Sequence, residues 1–152
     1  MSSATIIYTR LKRLCGDDSL ALKLSKEFKL LSTGVRKKYN NMKVSYKGDV
    51  YDSLSEAYAS YILNDMLKKK QIKKIERQIK YPLLNMDGKK TMRYVADFVV
   101  TGNSGEEYIL DIKGRLTADN KIKYAYFTYV YNKKIHLVFT SGADKFKLDF
   151  IK

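Results

Sequence analysis

The first forty residues carry apolar side chains at mixed three- and four-residue steps, a period typical of amphipathic helices. The polar triplet Gly16-Asp17-Asp18 interrupts the spacing, so the pattern predicts two short helices. A polar, basic stretch at 36–41 predicts the end of this segment. The apolar positions concerned are Ile6, Ile7, Leu11, Leu14, Leu20, Leu22, Leu24, Phe28 and Leu31.

We therefore expect an N-terminal helical segment at 1–40 and a core domain at 41–152. The apolar stripe of the first segment could cap the core or pair with a second copy of the chain. The segment is a candidate dimerisation or DNA-binding element.

The next stretch alternates from Lys43 to Tyr51 around Lys47-Gly48-Asp49, which predicts a small hairpin. Ser53 is then expected to open a helix that runs to about Lys70. Its apolar residues keep helical spacing on one face, at Leu54, Ala57, Tyr58, Tyr61, Ile62 and Met66.

The second half of the chain changes to a period of two, which is typical of β-strands. It predicts strands at Ile75–Leu84, Tyr94–Thr101, Tyr108–Lys113 and Ile135–Thr140, a helix at Asn120–Tyr131, and a candidate last strand at Phe146–Ile151. This order predicts an α/β fold with a mixed central β-sheet flanked by helices. The helical crossover from Lys113 to Ile135 would make at least one pair of strands parallel.

Composition adds a candidate partner. The chain has 152 residues, enough for one core, and 30 Lys+Arg against 16 Asp+Glu leave a formal charge of +14. Such a surface attracts polyanions, so nucleic acid is the leading partner. The alternative is a solvated basic surface or a ribosome-type binder without chemistry.

Cysteine usage and hydropathy exclude other classes of protein. Cys15 is the only cysteine, so one chain can form neither a disulfide nor a cysteine zinc site. The N-terminus does not look like an export signal, and no run of about eighteen apolar residues occurs. We expect a cytoplasmic protein that does not span a membrane.

The chemistry concentrates in one predicted hairpin. Pairing centred on Ser104 would place Asp97 directly across from Asp111, and Lys113 on the same face. Opposed like charges among apolar neighbours are destabilising, and a bound Mg²⁺ would compensate them. The alternative is an ion cluster at the sheet edge without metal, and a register shift of one residue would remove the opposition.

Ala96-Asp97 followed by Asp111-Ile112-Lys113 resembles the PD-(D/E)XK nuclease superfamily, and Ser53–Ala57 is similar to the superfamily's helix with a glutamate, here Glu56. The stretch from about 40 to 140 is also similar to small phage-borne endonucleases. Ala96 stands where the superfamily has a proline, and Asp111 is the shorter acid at its position.

The resemblance implies a restriction-endonuclease-like core and a Mg²⁺-dependent DNA endonuclease, with Mn²⁺ as an alternative metal. Asp97, Asp111, the backbone carbonyl of Ile112 and Glu56 would hold the metal, and Lys113 would orient the attacking water. The products would carry 5′-phosphate and 3′-hydroxyl ends. Glu56 has a second explanation, because with Ser53 it completes a capping box.

For the substrate we favour branched DNA, as for a Holliday junction resolvase, since 152 residues leave no room for a sequence-reading domain. Two symmetric nicks would need a homodimer. The alternatives are a nicking or end-processing nuclease of a phage or mobile element, acting in the bacterial host cytoplasm, and a non-catalytic DNA-binding module.

Basic and aromatic side chains complete the prediction. The candidate DNA contacts are Lys73, Lys74, Arg77, Gln78, Arg115, Lys121 and Lys123, and their alternative is a solvated face. Most tyrosines are expected in the core, among them Tyr58, Tyr61, Tyr94, Tyr108, Tyr126 and Tyr129. His136 lies in an apolar strand and is expected to be packed and not catalytic.

Overall fold

The computed structural model describes residues 2–32, 42–84 and 90–152. The described residues form helices and strands in the order α1 (Ser3–Cys15), α2 (Asp18–Glu27), β1 (Lys29–Ser32), β2 (Lys43–Tyr46), β3 (Asp49–Tyr51), α3 (Leu54–Lys68), β4 (Ile72–Leu84), β5 (Lys90–Gly102), β6 (Glu107–Lys113), α4 (Ala118–Tyr131) and β7 (Ile135–Phe139). The chain divides into two compact units, Met1–Ile62 and Leu63–Lys152. The predicted boundary at residue 40 and the basic stretch at 36–41 lie outside the described residues.

The two predicted N-terminal helices are confirmed, and local capping explains where they meet. Gly16 ends α1 in the left-handed conformation at φ 69°. Asp17 caps α2, because its side chain accepts a hydrogen bond from the backbone N–H of Leu20. The helices bury Ile7, Leu11, Ala21 and Leu24.

The helical prediction is wrong for the end of this segment, where Leu31 lies in β1. This strand pairs antiparallel with β2, and Leu30 lies opposite Val44. Phe28 is extended, and its ring contacts that of Tyr46 at 4.6 Å. Pairing of β1 with β2 and packing of Phe28 on Tyr46 therefore make the backbone extended at Phe28 and through β1, although the apolar spacing predicted a helix.

The predicted small hairpin and the start of the following helix are confirmed. Lys47 and Gly48 adopt positive φ values of 49° and 83°, and Tyr46 pairs with Asp49 across the turn. Ser53 caps α3, since its Oγ accepts a hydrogen bond from the N–H of Glu56 at 3.2 Å. This contact is half of the predicted capping box.

The second unit contains the predicted mixed sheet, in the order β4-β5-β6-β7. The first three strands are antiparallel, and β6 pairs parallel with β7 through the crossover helix α4. Helix α4 packs on the sheet through the fully buried Phe127, which lies in one cluster with Leu83, Tyr94 and Ile109. The architecture is thus α/β, with a four-stranded mixed sheet flanked by helices.

The candidate last strand at Phe146–Ile151 is wrong. Phe146 has φ 51°, and the segment closes turns in which the N–H of Ile151 donates to the carbonyl of Leu148 at 3.2 Å. Leu148 and Ile151 are nevertheless buried, each only 9% exposed. The apolar pattern therefore marks buried residues here and not a strand. Within the described ranges, no helix is both long and apolar enough to cross a membrane.

Candidate active site

The hairpin of β5 and β6 has the register that the sequence predicted. Val99 pairs with Ile109, and Thr101 pairs with Glu107. Gly105 permits the turn with φ 88°, and its N–H donates to the carbonyl of Gly102 at 3.0 Å. The paired register ends at Phe98 and Leu110, the residues that directly neighbour Asp97 and Asp111.

The side chain of Asp97 accepts a hydrogen bond from β6 at the point where the backbone pairing of β5 and β6 ends. The last paired residues are Phe98 and Leu110, and beyond them the N–H of Ile112 donates to Oδ2 of Asp97 at 2.7 Å. The carbonyl of Lys113 accepts from the N–H of Thr140 on the side of β7. Because backbone groups alternate between the two edges of a strand, the carbonyl of Ile112 is directed to the β5 side, where Asp97 lies.

The regular alternation of β5 is broken around Asp97. Tyr94, Ala96 and Val99 all belong to one hydrophobic cluster, although an undisturbed strand would place Val99 on the other face. On the neighbouring strand β4, Gln78 has φ 53° between two residues paired with Ala96 and Phe98. Such a conformation is costly for a residue with a side chain, and such strain is concentrated at functional sites.

Asp111 is a buried acid with specific partners. It is 4% exposed, and Lys113 Nζ lies 3.4 Å from its Oδ1. The hydroxyl of Tyr124 on α4 donates a hydrogen bond to its other oxygen, Oδ2. A carboxylate this deeply buried needs such partners, because desolvation otherwise penalises its charged form.

Two tyrosines that the sequence did not assign to the site lie beside Asp111. The rings of Tyr94 and Tyr124 meet edge to face, with centroids 5.9 Å apart. Burial, followed by the charge of Asp111, raises the pKa of Tyr94 well above its usual range. Burial, followed by the hydrogen bond to Asp111, raises the pKa of Tyr124 in the same way. Both hydroxyls therefore keep their protons at neutral pH.

The two hydroxyls differ in their hydrogen bonding. Tyr94 is 3% exposed, and its hydroxyl has no hydrogen-bond partner among the described residues. Tyr124 shares an inward helix face with Phe127 and Tyr131, so its position could be predicted from helical spacing. Its contact with Asp111 could not, because that contact depends on how the helix lies on the sheet.

Three of the four predicted catalytic residues lie together. Asp97, Asp111 and Lys113 belong to the second unit, at the same end of the β5–β6 hairpin. Glu56 belongs to the first unit, in the first turn of α3. Its participation stays a prediction.

The donor set in the second unit fits Mg²⁺. The described residues contain no group of three His, Cys, Asp or Glu arranged as a metal site. Asp97, Asp111 and the carbonyl of Ile112 supply oxygen only, and Mg²⁺ commonly takes one or two carboxylates and completes its shell with water and substrate phosphate. The chemistry of these donors is therefore compatible with the ion.

The predicted DNA-contacting residues lie on accessible parts of the second unit. On β4, Lys73, Lys74 and Gln78 are exposed and Arg77 is half-buried. Lys74 forms an ion pair with Glu76 at 3.1 Å. Arg115 and Lys121 are exposed and Lys123 is half-buried, and none of these three forms an ion pair within the described part of the chain. Their charges are available to a polyanion, and their contact with DNA stays a prediction.

The remaining aromatic predictions had mixed outcomes. Tyr58, Tyr94 and Tyr108 are buried, and Tyr61 and Tyr126 are half-buried. Tyr129 is 84% exposed, so its assignment to the core is wrong. It lies two residues after the buried Phe127, and two residues turn an α-helix to its other side.

His136 is packed, as predicted. Its ring stacks on that of Phe150 at 4.5 Å with an interplanar angle of 6°, and Tyr108 lies at 5.6 Å. Burial, with a smaller contribution from the charge of Lys134, lowers the pKa of His136.

Comparison with known protein families gives a match over most of the chain. Residues 36–147 match the family described as "Protein of unknown function (DUF1064)". No curated protein sequence and no solved structure matches the chain. The matched range includes all three clustered site residues, from β5 and β6, and Glu56.

Proposed function

The chain belongs to the DUF1064 family, and we propose that it is a Mg²⁺-dependent endonuclease that hydrolyses phosphodiester bonds in DNA. The observation that carries this proposal is the buried Asp111, which contacts Lys113 and accepts a hydrogen bond from Tyr124. Asp97 lies beside it on β5 and accepts a hydrogen bond from the N–H of Ile112. Packing alone would favour apolar residues at these positions. A site for a cation and a phosphate explains why acids and a lysine stand there.

The metal would be held by Asp97, Asp111 and the carbonyl of Ile112, with Glu56 as a further candidate ligand. When bound, Mg²⁺ supplies charge compensation and makes water a better nucleophile. Lys113 Nζ orients the attacking water and offsets the charge that develops on the phosphate. The new bond joins the water oxygen to phosphorus and the bond to the 3′-oxygen breaks, so the ends are a 5′-phosphate and a 3′-hydroxyl.

The basic residues of β4, the Gly114–Leu116 connection and α4 are the proposed contacts to the DNA backbone. Phosphate contacts position a protein on DNA without reading its sequence. We therefore propose branched DNA, recognised by its shape, as the substrate. A homodimer would supply the two sites needed for symmetric cuts.

One gel experiment tests the proposal. The purified protein is incubated with Mg²⁺ and either a four-way junction, a flap, a linear duplex or a single strand. We expect cleavage of the junction, no cleavage with EDTA, and no cleavage by Asp111→Asn, which keeps the size of the side chain and removes its charge.

Two outcomes would contradict the proposal in different ways. Cleavage retained by Asp111→Asn would show that the activity does not come from this site. Junction binding without cleavage by the wild-type protein, with Mg²⁺ or Mn²⁺, would instead identify a non-catalytic DNA-binding module. Cleavage of another substrate in the panel would keep the enzyme and change its DNA preference.

A further inference from the structure

We propose that Tyr124 is a positioning residue that holds one oxygen of Asp111 and thereby leaves the other to the metal ion. This inference rests on the proposed function, because it assigns a role within the same site. It concerns a residue on α4, outside the hairpin that carries the acids and the lysine.

The two oxygens of Asp111 have different partners. Oδ2 accepts the hydroxyl of Tyr124, while Oδ1 lies 3.4 Å from Lys113 Nζ. A strong hydrogen bond between an ammonium and a carboxylate is about 2.7–2.9 Å long, so the contact with Lys113 is a loose ion pair. Oδ1 is therefore the oxygen that would be left to a cation.

Tyr124 is itself held in place by the surrounding aromatic core. Tyr94 meets its ring edge to face, and Tyr124 packs against the hydrophobic cluster of the sheet that contains Phe127. Because Asp111 is 4% exposed, water can supply only a poor substitute for the lost donor. The position of Oδ2 therefore depends on the hydroxyl of Tyr124, while Lys113 contacts the other oxygen.

The effect expected from Tyr124→Phe is a weaker metal site. Loss of an outer partner of a metal ligand typically lowers metal affinity by about 10–100-fold. The change should appear in the metal dependence, while the affinity for DNA in the absence of metal stays unchanged.

The matched control is Tyr131→Phe. Tyr131 lies on the same helix and donates to a backbone carbonyl, that of Pro82, at 2.5 Å. This variant removes the same atom and one hydrogen bond from the same aromatic cluster, without touching Asp111.

The experiment measures binding of Tb³⁺ alone, without DNA, by its luminescence under tyrosine excitation, with Mg²⁺ as competitor. We expect Tyr124→Phe to bind both ions about 10–100-fold more weakly than the wild type, and Tyr131→Phe to bind them with nearly wild-type affinity. In the wild type, bound Tb³⁺ must be sensitised by tyrosine, because the hydroxyl of Tyr124 contacts the ligand itself. That last test does not depend on the folding of any variant.

Three results would overturn the inference. Tyr124→Phe could bind both ions as tightly as the wild type, Tyr131→Phe could lose as much affinity as Tyr124→Phe, or bound Tb³⁺ could show no tyrosine sensitisation. If the wild type still cleaves DNA in these cases, the proposed function stands. A wild-type protein that binds Mg²⁺ as expected but cuts none of the DNA substrates would refute the proposed function and leave the role of Tyr124 in metal binding intact.

Discussion

The two tyrosines beside Asp111 should respond to the same substitution with opposite signs. Tyr124→Phe removes a donor from a buried, charged acceptor, and hydrogen bonds to charged groups contribute about 1.5–3 kcal/mol. Tyr94→Phe removes a buried hydroxyl that has no partner among the described residues, and an unsatisfied polar group costs about 1–3 kcal/mol. The first variant should therefore be less stable than the wild type and the second more stable.

The magnitudes are large enough to measure. In a chain of this length, 1 kcal/mol corresponds to about 2–4 °C in Tm. We expect Tm to fall by about 3–12 °C in Tyr124→Phe and to rise by about 2–4 °C in Tyr94→Phe, because rearrangement of the free site recovers part of the cost.

Thermal unfolding followed by circular dichroism, without metal, measures both changes, and urea unfolding checks the free energies. Both variants keep the ring, so a change in packing volume does not confound the comparison. A loss of stability in Tyr94→Phe equal to that in Tyr124→Phe would refute the reasoning, since it would show that both hydroxyls hold the carboxylate.

Two further predictions test the packing of the second unit. Phe127→Ala should lower the free energy of unfolding by about 3–5 kcal/mol, because Phe127 is fully buried. Tyr129→Ala should change it by less than about 0.5 kcal/mol, because Tyr129 is exposed. Similar losses for the two variants in urea unfolding would contradict the exposure of Tyr129. His136 has a lowered pKa in the folded state, so the unfolded chain binds more protons and stability should be lost as the pH falls below the ordinary value of 6.5. Urea unfolding at about pH 7.5 and 5.5 should show a smaller loss in His136→Phe, and an equal loss would exclude this histidine as the cause.

The part of the fold that follows from sequence is the part in which periodicity and burial agree. The strands that carry Ile79, Val99, Ile109 and Val138, and the helix that buries Phe127, were all predicted at their approximate positions. The boundaries were less accurate, because β5 begins at Lys90 and not at Tyr94. The ends of a strand depend on how far it pairs with its neighbour, and the sequence of the strand alone does not contain that information.

The acids and the lysine of the hairpin could be placed because turn length sets register. The loop between Gly102 and Glu106 is short, and a turn centred on Ser104 pairs Val99 with Ile109, as the structure shows. Lys113 then follows from the two-residue alternation of the strand.

The rest of the site needed the three-dimensional structure. Tyr124 meets Asp111 only because α4 crosses back over the sheet, and no local pattern carries that contact. The left-handed conformation of Gln78 was equally hidden, since glutamine has no preference for it. The Phe146–Ile151 segment was predicted as a strand because its apolar residues alternate. In the structure these residues are buried or half-buried while the backbone forms turns.

The proposed DNA cleavage requires Lys113 beside Asp111, and it is tested most directly by single-turnover cleavage of a four-way junction by Lys113→Ala. The matched control is Lys147→Ala, which removes the same charge from an exposed lysine paired with Asp144 at 3.6 Å. Junction binding is measured in parallel in the presence of EDTA.

We predict that Lys113→Ala binds the junction and does not cut it with Mg²⁺, while Lys147→Ala binds and cuts like the wild type. Cleavage by Lys113→Ala at the wild-type rate would contradict the account.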